Sequence, residues 1–390
     1  MTTVLGPELS ELRALARRVT EEHLVPLEAS VPDSGDLDPS VLRHLQEVLS
    51  GCGLWALGVP TVHGGQGAST LAQIVVVEEL SRSLLGMFVV GRMGEPLPVL
   101  FGATPEQQER YLEPVVAGER LGAFALTEPT GGSDPVGNMR TTARRDGVDW
   151  VINGRKCFVS LGQVADHVVV FARTGASVVG DDPGITAFIV DRATPGCSVV
   201  RTIATMGSLD PAELDFHECT VPDANRIGPI GGGMAVAQAA LGGARLQIGA
   251  RALGAGARLL GMALDHVGTR RSFGTPLDQQ QGIQWMLADC AIDLETCRAV
   301  TYDAADRYDR GRHDRVRDSM VKIYASEALG RVADRVLQLF GGWGYARDLP
   351  VERFYRDARM WRIVEGPNEV HRVVIGRALL RHGIRELCDG

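Results

Sequence analysis

Apolar positions recur every three or four residues in the first third of the chain, every two in the middle, and every three or four again to the end. In residues 8–27, Leu9, Leu12, Leu15, Ala16 and Val19 alternate with charged positions, which predicts a helix burying one stripe. Asp38-Pro39 marks a helix start for 38–48. Thr104-Pro105-Glu106 offers a Thr cap, Pro at the first helical position and an acid in the first turn. Residues 53–60 and the Gly-rich 64–67 predict turns between helices. The most apolar region, 74–101, is interrupted by Glu78, Glu79, Arg82, Arg92 and Glu95, so it predicts a buried helix and no membrane span.

From about 123 the period shortens to two. Asn153-Gly154 stands between two β-prone runs in 150–158, which predicts a hairpin turn there. Strands expected at 167–173, 185–190, 198–203 and 212–217, separated by Gly, Pro and Asp, indicate a small antiparallel barrel or sandwich. From 235 the helical period returns. Leu246, Leu253, Leu260 and Val267 recur every seven residues in a segment rich in Gly249, Ala250, Gly254, Gly256 and Gly261. Such a segment is a weak helix former alone, so it is expected to be sandwiched closely between other helices. Helices expected over 280–308, 315–339 and 368–387 complete a four-helix bundle. The expected fold class is α+β: an N-terminal helical domain over 1–122, a middle antiparallel β domain over 123–233, and the C-terminal bundle over 234–390.

Composition narrows the function classes. With 390 residues, 45% hydrophobic and 23% charged, the chain has the make-up of a soluble globular protein with a large core. The net charge is −8 and no long Lys/Arg run exists, which argues against nucleic-acid binding. The cysteines at 52, 157, 197, 219, 290, 297 and 388 are scattered, odd in number and without a C-x-x-C pair. They predict reduced thiols in a cytoplasmic compartment, with no disulfide framework and no metal site. Residues 1–18 alternate apolar with charged positions, so no secretory signal is expected.

Two stretches carry candidate chemistry. Residues 124–134 run from a short apolar segment through Pro129 into Thr130, Gly131, Gly132 and Ser133, which frees backbone N–H groups to face a ligand. Residues 351–366 combine Arg356-Asp357-Ala358 with Ile363-Val364-Glu365-Gly366. No Gly-x-Gly-x-x-Gly links a strand to a helix, so a Rossmann nicotinamide site is not expected.

Leu126-Thr127-Glu128-Pro129 with Gly132-Ser133-Asp134, the 151–156 segment, Arg270-Arg271-Ser272-Phe273-Gly274, Gln338 to Gly342, and Arg356-Asp357-Ala358 with Glu365-Gly366 together resemble the acyl-CoA dehydrogenase family of FAD-dependent flavoproteins. The resemblance covers nearly the whole chain. It implies α,β-dehydrogenation of an acyl thioester, either acyl-CoA or acyl-carrier-protein. No side chain accepts hydride reversibly, so a cofactor must carry that step, and the resemblance implies that it is FAD. Electrons would pass to an electron-transfer flavoprotein.

The same resemblance implies roles. Phe124, Leu126, Thr127, Gly132 and Ser133 would cradle FAD, with Thr127 at the ring's pyrimidine edge and Ser133 at the pyrophosphate. Phe158 and Ser160 stand where relatives place Trp and Thr against the flavin, so the aromatic wall and the hydroxyl are kept. Arg270, Ser272 and Phe273, with Gln281, Gln338, Gly341 and Gly342, would reach a neighbouring subunit's FAD, which implies a homo-oligomer, tetramer or dimer. Asn368 and Glu369 are further cofactor candidates. Ser133, Arg245, Val364 and Gly366 are substrate candidates.

Glu365 is the candidate base. Apolar neighbours would desolvate it and raise its pKa into a working range. Some relatives carry the base one residue before the Arg matching Arg245, but Ala244 occupies that position here. Gly242 replaces an acidic residue near the pantetheine, Val364 an aromatic and Pro367 a Thr. Val364 leaves room for a branched or bulky acyl group. Two other classes remain open on this scaffold: a flavin-dependent monooxygenase or oxidase, and a non-catalytic flavin binder.

Overall fold

The computed structural model describes residues 5–33, 35–175 and 184–384, with Met87 and 239–242 described by backbone alone. Its first helical part contains α1 (Pro7–Val19), α2 (Pro39–Gly51) and α3 (Thr70–Leu80). Asp38 caps α2 by accepting from the Ser40 N–H at 2.8 Å, and Thr104 and Gln107 form a reciprocal capping box. The region 74–101 is not one helix. It stops at Leu80 and breaks into short turns where Ser81, Gly86, Gly91, Gly94 and two prolines intervene. Glu78 and Glu79 are buried there because Arg17 grips Glu79 through two hydrogen bonds, while Arg298 and the Tyr302 hydroxyl donate to Glu78 at 3.0 and 2.6 Å.

The sheet comprises β1 (Gly122–Ala125), β2 (Thr142–Asp146), β3 (Asp149–Val159), β4 (His167–Arg173), β5 (Ile185–Asp191), β6 (Cys197–Thr202), β7 (Ala212–Pro222) and β8 (Arg226–Ile227). The order is β6-β7-β3-β2-β4-β5-β8, with β1 beside β4. The expected antiparallel character holds except where β1 and β2 meet β4 in parallel. Alternation along β4 works on two faces. Val168, Val170 and Ala172 join Ile152, Phe188 and Leu214 in one core, while Val169 and Phe171 join Val99, Tyr111 and Leu112 from the helical part.

The hairpin expected at Asn153-Gly154 is not there. β3 runs straight through these residues with a register shift, and the two-residue turn is Gly147-Val148, between paired Asp146 and Asp149. Asp146-Gly147 is a turn dipeptide like Asn-Gly but sits one residue earlier: Gly147, at φ +61°, takes the first of the two loop positions, where a glycine-first turn needs it. Gly154 serves instead for close approach: a Cβ there would lie 2.6 Å from the Thr141 Cα.

The last part holds α4 (Gly233–Thr269), α5 (Gln281–Asp309), α6 (Arg315–Phe340), α7 (Val351–Met360) and α8 (Asn368–His382). Helices α4, α5, α6 and α8 form the expected bundle. Helix α7, not anticipated from the sequence, packs on α6. Leu246, Leu253 and Val267 are buried and Leu260 partly so. A Cβ on Gly254 would overlap the Glu78 carbonyl, and one on Gly249 would lie 2.5 Å from Thr301 Oγ1. The small residues thus let α4 press against α3 and α5. The helix expected to reach 387 is described to His382, and residues 385–390 lie outside the described residues. No described helix is long and apolar enough to cross a membrane.

Candidate active site

Beyond α7 the Ile363 and Val364 N–H groups still bond to the Met360 carbonyl. Glu365 and Gly366 then turn left-handed, at φ +55° and +90°. Side chains from two other helices hold this turn. Lys322 of α6, fully buried, donates to Gly366 O and Asn368 Oδ1, both at 2.7 Å. His371 of α8 lies 3.0 Å from the Glu365 carbonyl through Nε2 and 3.0 Å from Ser319 Oγ through Nδ1. Burial lowers the His371 pKa to about 4, so the ring is neutral. A carbonyl only accepts, so Nε2 carries the proton and Nδ1 is an acceptor; the Ser319 hydroxyl has both Nδ1 and the Arg315 carbonyl, at 2.9 Å, within reach. Burial likewise pulls Lys322 down to about 8 against the charges of Glu365 and Glu369.

Glu365 itself is half-buried. Burial raises its carboxyl above the ordinary range, opposed by the positive charges of Arg245, Arg251 and Lys322. A carboxyl balanced between desolvation and nearby cations can both take and release a proton. Arg245 is 9% exposed and its Nε has no hydrogen-bond partner. Arg251 lies over the Trp361 ring at 5.4 Å. Val364 packs half-buried against the bundle core. The surroundings of Gly242 lie outside the described side chains.

A second cluster gathers the 124–134 stretch. Fully buried Lys156 donates to Glu128 at 2.8 Å and to Leu126 O at 3.1 Å. Burial would raise Glu128, but hydrogen bonds from Lys156, Thr141 and Arg140 bring it below its ordinary value. The Cys157 N–H donates to Thr127 O at 2.9 Å, and Phe124 rests on Phe171 at 4.9 Å between ring centres. A register shift between Lys156 and Val159 turns Phe158 outward at φ +54°, 61% exposed. Leu126 and Thr127 are half-buried, whereas Gly132, Ser133 and Ser160 are exposed. Among the described residues the hydroxyls of Thr127, Ser133 and Ser160 have no partner. An outward aromatic beside a glycine turn and free hydroxyls fits a planar ring with a phosphate tail.

A connector ties the two clusters. Ser208 donates to Asp357 of α7 from N–H and Oγ, both at 2.6 Å, while Gln163 donates to Asp210 O at 3.3 Å. The remaining candidates lie elsewhere. Arg270, Ser272, Phe273, Gln281, Gln338, Gly341 and Gly342 cluster beyond the far end of α4, all but half-buried Ser272 exposed. Arg245 and Thr269 are separated by roughly 36 Å along that helix. These residues therefore do not join the Glu365 cluster within one chain. Asn368, read from the sequence as a cofactor contact, is buried with its amide committed to Lys322, Ser326 and Glu327, whereas Glu369 is exposed. Lys322, His371, Arg251 and Lys156 were not anticipated. A Lys inside an apolar run, as at Val321-Lys322-Ile323, was the signal available; His371, between Val370 and Arg372, offered none.

Comparison with known proteins adds an independent finding. Residues 6–119, 123–219 and 231–380 match the family models for the acyl-CoA dehydrogenase N-terminal, middle and C-terminal domains. The acryloyl-CoA reductase (NADH) of Anaerotignum propionicum is 37% identical, with 97% of this chain and 95% of that protein covered. The butyryl-CoA dehydrogenase structure from Megasphaera elsdenii superposes with a TM-score of 0.89 at 32% identity, covering 98% of this chain and 100% of that one. PigA solved with FAD and proline gives 0.89 at 25% identity, covering 97% and 99%.

Proposed function

Because the chain belongs to the acyl-CoA dehydrogenase family, we propose that its FAD-dependent oxidation of the Cα–Cβ bond of an acyl thioester runs through Glu365. FAD, when bound, supplies the acceptor for the β hydrogen as hydride. The chain does the rest. The Glu365 carboxylate takes the α proton, and Arg245, Arg251 and Lys322 keep enough of it ionised to act. The Glu365 N–H has no partner among the described residues, so it can donate to the thioester oxygen as negative charge develops there. Lys322 and His371 hold the turn that aims it.

We assign the ring-facing side of the cofactor to Phe124, Leu126, Thr127, Gly132, Ser133, Phe158 and Ser160. Arg270, Ser272 and Phe273, with Gln281, Gln338, Gly341 and Gly342, would serve the FAD of a neighbouring copy, which makes the working unit a dimer or tetramer. Electron-transfer flavoprotein is the proposed acceptor and the cytoplasm the proposed compartment. Val364 beside the base leaves room for a branched or bulky acyl group, on CoA or a carrier protein. Relatives do not favour the monooxygenase or oxidase alternative.

The observation carrying this reading is one half-buried carboxylate on a left-handed turn, faced by three cations. Anaerobic titration of the FAD-loaded protein with acyl-CoA and acyl-carrier-protein thioesters tests it. Flavin bleaching is expected, and Glu365→Gln should abolish it while FAD stays bound. No bleaching by any thioester, with oxygen-dependent product when reduced flavin is supplied, would overturn it.

A further inference from the structure

We propose that Arg251 receives a carboxylate at the far end of the acyl group, so that the preferred substrate is the monothioester of a short dicarboxylic acid. This rests on Glu365 being the base.

Ala244 and Arg251 are seven residues apart on α4 and therefore share one face, separated by roughly 10.5 Å along the axis. That face looks toward the Glu365 turn, since Arg251 lies over Trp361, four residues before Glu365, and its charge acts on the Glu365 carboxyl. Three other enclosed guanidinium groups have acceptors. Arg258, seven residues further along the same face, pairs with Glu28 at 3.8 Å. Arg353 donates to Ser208 and Asp33, and Arg92 to Asp36. Arg251 has no ion pair or hydrogen bond among the described residues, and the Glu365 carboxylate is not within ion-pair distance of it.

Burial pulls the Arg251 pKa down to about 10, which leaves it charged at neutral pH. Arg251 is half-buried; an acyl group that covered it without supplying an acceptor would leave a desolvated, unpaired cation, which is costly, and the planar fork of a guanidinium matches a carboxylate in a bidentate pair. An acyl group whose Cα reaches Glu365 has its tail directed along this helix face, with the Trp361 ring as an apolar wall for the methylenes. A terminal methyl there would leave Arg251 unpaired in a desolvated place. A terminal carboxylate would pair it. Arg245, also without an ion pair among the described residues, is placed differently, close enough to Asp318 and Arg315 to feel their opposed charges.

The test compares pairs of equal length on the Glu365→Gln holoenzyme, in which the α proton stays in place and calorimetry reads binding alone. The pairs are succinyl-CoA with butyryl-CoA, glutaryl-CoA with pentanoyl-CoA, and adipyl-CoA with hexanoyl-CoA. In at least one pair the diacid ester should bind about 10- to 100-fold tighter, as expected for a desolvated charge-assisted pair. Arg251→Gln should remove or reverse that preference, and Arg251→Lys should restore part of it. The kcat/KM ratios of the same pairs on the unmutated holoenzyme give a second reading should a variant fold poorly. Monoacid esters bound equally well in every pair, or a diacid preference that survives Arg251→Gln, would overturn the inference alone. Failure of every thioester to bind or to bleach the flavin would instead overturn the role given to Glu365, and this inference with it.

Discussion

Replacing Lys322 with Met tests whether the Glu365 turn is held from outside. The ammonium makes two 2.7 Å hydrogen bonds, to Gly366 O and Asn368 Oδ1, in a site without solvent contact. Charge-assisted bonds of this kind contribute about 1.5–3 kcal/mol each, so losing both removes about 3–6 kcal/mol from a total that for most domains is about 5–15 kcal/mol. The turn they hold has two successive left-handed residues, one of them non-glycine, and among the described residues no other cation hydrogen-bonds to its backbone. A shift of about 1 Å at the carboxylate is worth about 100-fold in turnover.

The charge matters separately from the bonds. Lys322 lowers the Glu365 pKa, so removing it lets burial lift that carboxyl further. A base works only when deprotonated. The acid limb of the kcat profile therefore moves to higher pH in Lys322→Met, whereas Lys322→Arg keeps the charge and leaves the limb nearer its original place. Thermal melting gives the stability loss, and anaerobic stopped-flow bleaching across pH gives the limb. A Lys322→Met protein with unchanged melting temperature, rate within threefold and an unmoved limb would refute the reasoning.

Lys156→Met leaves Glu128 buried without its cation, a loss of about 3–5 kcal/mol, and loosens the Leu126–Thr127 backbone. Weaker FAD retention on gel filtration checks it, and the Lys156→Met, Glu128→Gln double variant should recover stability. His167 and His371 are both held neutral, with pKa values of about 4 against an unfolded value near 6.5. Their contribution is full above about pH 6.5 and is lost as pH falls toward about 4, because only the unfolded chain takes protons in that window. Urea midpoints at pH 7.5 and 5 should show the drop, smaller in His371→Gln. Gly254→Val forces overlap with the Glu78 carbonyl and should cost about 1–3 kcal/mol or more, while Gly243→Ala, with nothing within 4 Å of its new Cβ, should gain about 0.5–1 kcal/mol and melt at or above the parent.

Period and turn chemistry made much of the scaffold legible. The 168–172 run is continuous in apolar residues because β4 is covered on both faces, and the heptad stripe of α4 is buried nearly as written. Helix α7 escaped because Arg353, Arg356 and Asp357 look like solvent positions, yet Arg353 and Asp357 are buried against Ser208 and Pro32. Asn153-Gly154 misled because a hairpin dipeptide can also make a bulge, and the chain offered a second such dipeptide seven residues earlier. Glu365 could be singled out from its local motif. Its partners could not. Lys322 lies on a helix more than forty residues away and His371 on the following helix, so only the packing of α6 against α8 brings them to one turn.

Backbone strain gives an independent reason to weigh particular residues. Among the described residues six non-glycines have positive φ: Ala56, Phe158, Leu161, Glu218, Phe273 and Glu365. Such conformations cost about 1–3 kcal/mol each unless neighbouring structure compensates. Three are compensated locally. Ala56 is buried and hydrogen-bonds to Met93, Val59 and Gln66; Leu161 O accepts from Val164 and Ala165; Glu218 exchanges two bonds with Asn153. Phe158 and Phe273 are not: Phe158 is 61% exposed, and Phe273, although it opens the two-residue turn between paired Ser272 and Thr275 that calls for a positive φ, carries there a bulky side chain that is 103% exposed and takes nothing from the turn. Glu365 is held only by His371 on its carbonyl, and its N–H is left without a partner. Strain without local return at these three positions, and not at the other three, is what contacts completed by a cofactor, a substrate or a second copy of the chain would produce. Substituting Gly at Phe158 or Phe273 should therefore raise the stability of the isolated, cofactor-free chain while weakening FAD binding or assembly. Stability lowered in both would show that the aromatics serve the fold itself.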